Sequence, residues 1–269
     1  MFGLQRWQVE NTVKLIDEGN TIPFIARYRK EAHGTLDDQV LRELSEKLEY
    51  LRNLDKRREE ISASITAQEK MTPEIEAALE KASTLAEIED IYRPFRPKRR
   101  TRASIAKEKG LEPLADAIFA QTVDSASPTE LAADYIDAEK GVETVEDAIN
   151  GAMDIIAENI SDDADIRRRL RSLFTVAGVL QSRAADSEKE SVYTMYYEYD
   201  EPVNKIAGHR VLAVNRGENE GFLKVGIDVD RIKALNIINA NVLSDNGSAC
   251  TDIVRDAAAD AYDRLIFPS

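Results

Sequence analysis

Apolar side chains recur every three or four positions over most of the first 177 residues, which is the spacing of one face of an α-helix. One apolar stripe predicts a helix from about Leu4 to Glu18. A second stripe predicts a long helix that begins at Asp37, and its apolar seam is interrupted at Arg58. Charged residues occupy the other faces of both segments, so we expect helices that pack against one another along a single seam.

Several short sequences mark further helix boundaries. Three Ser/Thr-x-x-Glu/Asp sequences predict capped helix starts, at residues 84–87, 127–130 and 144–147. Another helix is predicted to begin at Ser161. Near the N-terminus, Gly19-Asn20 separates two helical segments and allows a helix-turn-helix-like arrangement. That arrangement is common in helical proteins that do not bind DNA, so by itself it indicates little about function.

The pattern changes after residue 177, where short β-like segments replace the helical stripes. Residues 178–183, 192–199 and 221–228 are the candidate strands, of which two or three are expected to form. A helix is expected near 209–215, and a final amphipathic helix from Ser248 to about Ile266. The expected fold is therefore mainly α: a multi-helical scaffold with a helix-turn-helix-like element and a small β-element of two or three strands in the C-terminal third.

The change of pattern predicts three segments: a helical domain over 1–177, a small α/β element over 178–230, and helices over 231–269. The composition, 269 residues with 43% hydrophobic and 32% charged side chains, excludes a disordered chain. No apolar run is long enough for a membrane span, so no membrane partner is expected. The N-terminus has no signal-peptide pattern, so the cytoplasm is the expected location.

The net charge of −14 comes from one part of the chain. Residues 111–165 hold 15 acidic side chains and a single basic one, Lys140, whereas the remainder contains 35 residues of each sign. Basic clusters outside the acidic stretch can therefore act locally on a negatively charged partner.

The strongest basic cluster lies at residues 93–102, where six of ten side chains are basic and none is acidic. Arginine binds phosphate in a bidentate manner, and two prolines favour an extended backbone. The predicted nucleic-acid-binding residues are Arg96, Lys98, Arg99, Arg100 and Arg102. The alternative is an interhelical connector whose arginines bind the carboxylates of residues 111–165.

Two further features bear on nucleic-acid binding. Tyr92 immediately precedes the basic cluster and Phe95 lies within it, and both rings could stack on bases. Residues 27–30 form a weaker basic patch with the same two interpretations.

Catalytic and metal chemistry find little support. Cys250 lies far in sequence from His33 and His209, and no nucleophile-elbow motif is present. Asp228 and Asp230 share one face of a strand and could ligate Mg²⁺, but acidic pairs are expected by chance in so acidic a chain, and a turn at the strand end is the better explanation. We expect a non-enzymatic protein with no cofactor, no metal and no catalytic residue.

Several long motifs resemble one family, the bacterial Tex family of transcription accessory proteins. They lie at residues 18–31 (EGNTIPFIARYRKE), 85–103 (LAEIEDIYRPFRPKRRTRA), 105–115 (IAKEKGLEPLA), 151–157 (GAMDIIA) and 209–221 (HRVLAVNRGENEG). The resemblance covers almost the whole chain.

The resemblance implies a helical N-terminal region that precedes an RNase-H-like domain of the YqgF type, helix-hairpin-helix modules and a C-terminal RNA-binding barrel. We therefore expect a truncated fragment that stops before these domains. The family binds RNA or DNA chiefly through its C-terminal modules, which leaves two hypotheses. Either the chain helps to hold nucleic acid, or it is a docking module for another protein, such as RNA polymerase, without direct nucleic-acid contact.

Overall fold

The computed structural model describes residues 3–97, 100–123 and 126–269. The chain forms two compact units, Met1–Tyr92 and Arg93–Ser269. The prediction of a mainly α fold with a small β-element in the C-terminal third is confirmed. Within the described ranges, no helix has both the length and the apolar character needed to cross a bilayer.

The described residues of the first unit form six helices joined by short connections. Its helices are α1 (Arg6–Asp17), α2 (Ile22–Tyr28), α3 (Lys30–His33), α4 (Asp38–Ala67), α5 (Pro73–Lys81) and α6 (Leu85–Tyr92). The predictions of the first helix and of the long helix are confirmed, and the Asp37 side chain caps α4 by accepting the Gln39 N–H at 2.8 Å. Leu41, Leu44 and Ile61 lie on the buried seam of α4.

Arg58 interrupts the apolar seam of α4 because it caps a neighbouring helix. Its Nε donates to the carbonyl of Leu79 and its Nη2 to the carbonyl of Ala82, each at 2.9 Å. These carbonyls lie at the C-terminal end of α5, where the helix itself supplies no donors and the dipole favours a cation. The guanidinium therefore fixes α5 against α4.

The second unit is built around one helix. Its first helices are α7 (Arg102–Glu108), α8 (Glu112–Ala120), α9 (Pro128–Ala133), α10 (Val145–Asp162) and α11 (Ala164–Ala177), with 3-10 turns at Arg93–Phe95 and Ala138–Lys140. The later elements are β1 (Val179–Ala184), β2 (Glu198–Pro202), α12 (Gly208–Asn219), β3 (Leu223–Asp228), α13 (Arg231–Val242) and α14 (Thr251–Asp260). Small or branched residues such as Ala148, Ala152 and Ile155 bury the inner face of α10 against α7, α8 and α14.

The three strands form one antiparallel sheet in the order β2-β1-β3. The first and third strands lie close to their predicted positions, but the prediction of a strand over 192–199 is wrong for most of its length. Residues Thr194–Tyr196 form a 3-10 turn, and Tyr193 and Tyr196 are buried beside the sheet. Ser191 stabilises the turn by accepting hydrogen bonds from the following residues, so pairing begins only at Glu198.

Two helix boundaries also differ from prediction. The helix expected to begin at Ser161 begins at Ala164, because α10 continues through Asp162 and the Asp163 side chain caps α11. The final helix begins at Thr251 rather than at Ser248, and it continues from Ala261 to Ile266 as a π-helix. The three predicted capping boxes, at residues 84–87, 127–130 and 144–147, are all confirmed.

Candidate nucleic-acid interface

The basic cluster begins with an arginine that has a structural partner. Arg93 opens the 3-10 turn at the start of the second unit, and its Nε lies 3.2 Å from Oδ1 of Asp162. Asp162 is buried, and a buried carboxylate is costly unless a cation and hydrogen bonds compensate it. Arg93 therefore holds the start of the cluster against the C-terminal end of α10.

Arg100 has only a loose partner. Its Nη2 lies 3.8 Å from Oε2 of Glu108, and its side chain is 73% exposed. An exposed ion pair at that distance contributes little free energy, so a phosphate could replace the carboxylate at small cost. The next residue, Thr101, starts α7 in a capping box with Ser104, which fixes where the helix begins.

Arg102 is the first residue of α7 and is exposed. It lies near Asp154, whose main partner is Arg264, with Nη2 at 2.9 Å from Oδ1. Burial raises the pKa of Asp154, and the attraction of Arg264 and Arg102 only partly opposes that rise. Arg102 thus contributes to neutralising a carboxylate of the acidic stretch while its side chain remains open to solvent.

The two interpretations of the basic cluster thus apply to different residues. Arg93 acts as a connector that binds a carboxylate of residues 111–165. Arg96, which follows the 3-10 turn, and Arg100 and Arg102 are exposed. Lys98 and Arg99 lie outside the described residues. The nucleic-acid role of these five residues stays a prediction.

The two aromatic residues of this region are not equivalent. Tyr92 ends α6, its Oη lies 3.1 Å from Oγ of Ser64, and the Arg57 guanidinium lies 5.7 Å from its ring centroid. These contacts hold the Tyr92 side chain against Ser64 and Arg57, so its ring is less available to stack on a base. Phe95, in the 3-10 turn, is half-buried.

The weaker basic patch at residues 27–30 has a feature that the sequence reasoning missed. Phe24 and Tyr28, one turn apart on α2, both expose their rings, and their centroids lie 5.3 Å apart. The spacing of four residues was a visible signal, because side chains at i and i+4 lie on one helix face. Their position next to Arg27, Arg29 and Lys30 brings rings and cations together.

Sequence reasoning also missed the four arginines of α11, which all fall within residues 167–171. Arg168 and Arg169 both pair with Asp165, and the hydrogen bond from Arg168 holds the pKa of that carboxyl below its ordinary value. This pairing reduces the positive charge that the helix presents to solvent.

The two aspartates considered for Mg²⁺ have other roles. Asp230 caps α13, with Oδ1 accepting the backbone N–H groups of Ile232 and Lys233 at 2.9 and 3.4 Å. Asp228 ends β3. In the part of the chain that the structure describes, no three His, Cys, Asp or Glu side chains are grouped so that they could hold a metal ion.

Two models of known protein families match this chain. The model of the Tex-like protein N-terminal domain matches residues 1–66, and the model of the Tex central region-like family matches residues 123–265, more than half of the chain. The chain belongs to the Tex-like family. The Tex resemblance seen in the sequence motifs is thereby confirmed.

Relatives of this Tex-like chain are considerably longer. It is 43% identical to "Uncharacterized protein YdcI" of Bacillus subtilis (strain 168), over 99% of this chain and 37% of that protein. It is 40% identical to "Transcriptional accessory protein Tex" of Neisseria gonorrhoeae, over 82% of this chain and 29% of that protein. It is 30% identical to "S1 RNA-binding domain-containing protein 1" of Pongo abelii, over 98% of this chain and 28% of that protein. The chain thus spans less than two fifths of each relative.

Proposed function

We propose that this chain is the helical scaffold of a transcription accessory protein and that it contacts RNA or DNA through the basic cluster, acting by binding rather than by catalysis. The names of two relatives, a transcriptional accessory protein and an RNA-binding-domain protein, support this class of function. The observation that carries the proposal is that Arg100 and Arg102 are exposed, whereas Arg93 is paired with a buried carboxylate.

The arginines differ in what each would lose by binding phosphate. Arg93 would give up its ion pair with the buried carboxylate of Asp162, which is unfavourable. Arg100 would give up one exposed, long ion pair. The exposed guanidinium groups of Arg100 and Arg102 adjoin the capping box that starts α7, and a contact made from a well-ordered helix start loses little conformational entropy on binding.

The test is the salt dependence of nucleic-acid binding by the 269-residue chain. Replacing Lys98, Arg99, Arg100 and Arg102 with Gln is expected to weaken binding and to make the log-log salt slope shallower by about 3. The matched control removes four exposed arginines elsewhere: Arg6, Arg42, Arg168 and Arg231. Equal losses in both variants would show that only overall charge matters, and an unchanged slope in the first would remove the cluster from the interface.

A second candidate function is docking to another protein of the transcription machinery, such as RNA polymerase, through the acidic stretch. One observation favours it: three large apolar side chains in residues 111–165 are exposed, Phe119, Val123 and Ile136. Exposed apolar groups surrounded by charge are typical of protein contact surfaces. Lys substitutions at exposed acidic residues of this stretch should abolish binding to immobilised, purified RNA polymerase, and retained binding would argue against this surface.

A further inference from the structure

The short helix α2 exposes two aromatic rings on one side and buries its opposite side. Phe24 is 38% exposed and Tyr28 is 59% exposed, with ring centroids 5.3 Å apart and ring planes inclined by 44°. Ile25, between them in sequence, is fully buried. Both rings keep a large part of their surface exposed to solvent, so burial within this unit explains them only in part.

Three exposed cations adjoin the two rings: Arg27, Arg29 and Lys30. The Arg29 guanidinium lies 5.6 Å from the Phe24 ring centroid, a cation–π distance. Glu31 is the only acidic residue between positions 19 and 36. The surface therefore combines flat apolar faces with positive charge.

The cations of this surface differ from the other arginines of the first unit. Within the described residues, no carboxylate lies within 4.0 Å of Arg27, Arg29 or Lys30. All five other arginines of the unit are paired with a carboxylate: Arg6, Arg42, Arg52, Arg57 and Arg58. In a chain with 50 acidic side chains, the lack of partners leaves these cations ready for an anionic ligand.

The helix is also held firmly in place. The buried His33 imidazole donates from Nε2 to the carbonyl of Ile25 at 3.2 Å, because its Nδ1 accepts the Leu36 N–H at 3.0 Å and so carries no proton. Pro23 in the first turn of α2 restricts the backbone further. A ligand therefore meets rings and charges on a rigid support.

We propose that Phe24, Tyr28, Arg27, Arg29 and Lys30, here called the α2 platform, bind single-stranded nucleic acid. Bases stack on the two rings while the cations contact the flanking phosphates. Single strands fit best because their bases expose stacking faces that a duplex keeps internal. The inference deepens the proposed function, but the platform shares no residue with the basic cluster, so the two can fail separately.

The test measures fluorescence anisotropy of labelled oligo-dT and oligo-U of about 12 nucleotides, a length within the usual site size, and of a duplex of equal length. The double substitution Phe24→Leu/Tyr28→Leu keeps apolar side chains but removes the rings. It is expected to lower single-strand affinity about tenfold or more and to leave duplex affinity unchanged. The matched control, Phe119→Leu, alters a ring that is 41% exposed in the acidic stretch and should have no effect.

A second variant tests the cations without touching the rings. Arg27→Gln/Arg29→Gln alters only exposed side chains and is expected to make the salt slope for single strands shallower by about 1.4. Unchanged single-strand affinity in both platform variants would overturn the proposal and assign the surface to a protein contact. An equal loss of duplex affinity in the ring variant would overturn the stacking. If the platform variants lose single-strand affinity and the basic-cluster variant does not, the basic cluster is rejected as a contact and the platform is retained.

Discussion

Replacing His33 with Ala tests how the first unit supports α2. The imidazole is fully buried and uses both nitrogens, one toward the Ile25 carbonyl in α2 and one toward the Leu36 N–H before α4. It thereby links the middle of α2 to the segment that precedes the long helix. The substitution removes both hydrogen bonds and leaves a cavity where the ring was.

The magnitude follows from these contacts. Each hydrogen bond contributes about 1 kcal/mol net, and truncating a buried ring adds a cavity term of at least similar size. We expect His33→Ala to lower the free energy of unfolding of the first unit by about 3 kcal/mol. The control is Asn11→Ala, which removes one exposed hydrogen bond, from Nδ2 to the Ala32 carbonyl at 2.9 Å, and should cost about 1 kcal/mol or less.

The assay is amide hydrogen exchange of residues 22–36 in the whole chain, combined with urea unfolding, because two compact units need not unfold together. Exchange of these amides should accelerate about a hundredfold in His33→Ala and far less in Asn11→Ala. Equal acceleration in the two variants would refute the role assigned to His33.

Three further predictions concern other parts of the fold. Arg58→Met should destabilise α5 by about 2 kcal/mol, because two carbonyls lose their donor, and hydrogen exchange of α5 would detect it; unchanged protection would contradict the cap. Gly151→Ala should lower the midpoint of thermal unfolding, because the added Cβ would lie 2.3 Å from Cδ1 of buried Leu111. This clash outweighs the gain in helix propensity, and a raised midpoint would show that Leu111 moves freely. The Thr144 hydroxyl holds the pKa of Asp147 below its ordinary value, so this capping box should lose stability as the pH falls below about 4. Asp147→Asn should flatten that part of the acid-unfolding curve, and an unaltered curve would show that the Asp147 carboxylate does not contribute to stability.

Local sequence signals predicted the helices well because their causes are local. The caps at Asp37 and Thr144 involve residues two or three positions away, and the seam of α4 is a repeat within one helix. The segment around Tyr193 misled the strand prediction because its aromatic residues enter a small core from a turn. A pattern of residue types does not distinguish burial beside a sheet from pairing within it.

The candidate interface was less predictable because it depends on distant partners. Arg93 and Asp162 are 69 positions apart, so nothing near Arg93 in the sequence separates it from the exposed Arg100. The spacing of Phe24 and Tyr28 places both rings on one helix face, but it does not reveal that they are exposed, because an aromatic pair at helical spacing is usually part of a core. Which cations remain available is a property of the folded chain.

The most direct test of the account is a titration of the 269-residue chain with a single-stranded oligonucleotide at about 50 mM and 200 mM salt. If exposed, partly unpaired arginines and lysines contact phosphates, the chain binds at the lower salt concentration and the log-log slope is about −3 or steeper. No binding at the lower concentration, or an affinity that does not change with salt, would contradict the claim that this helical scaffold itself contacts nucleic acid.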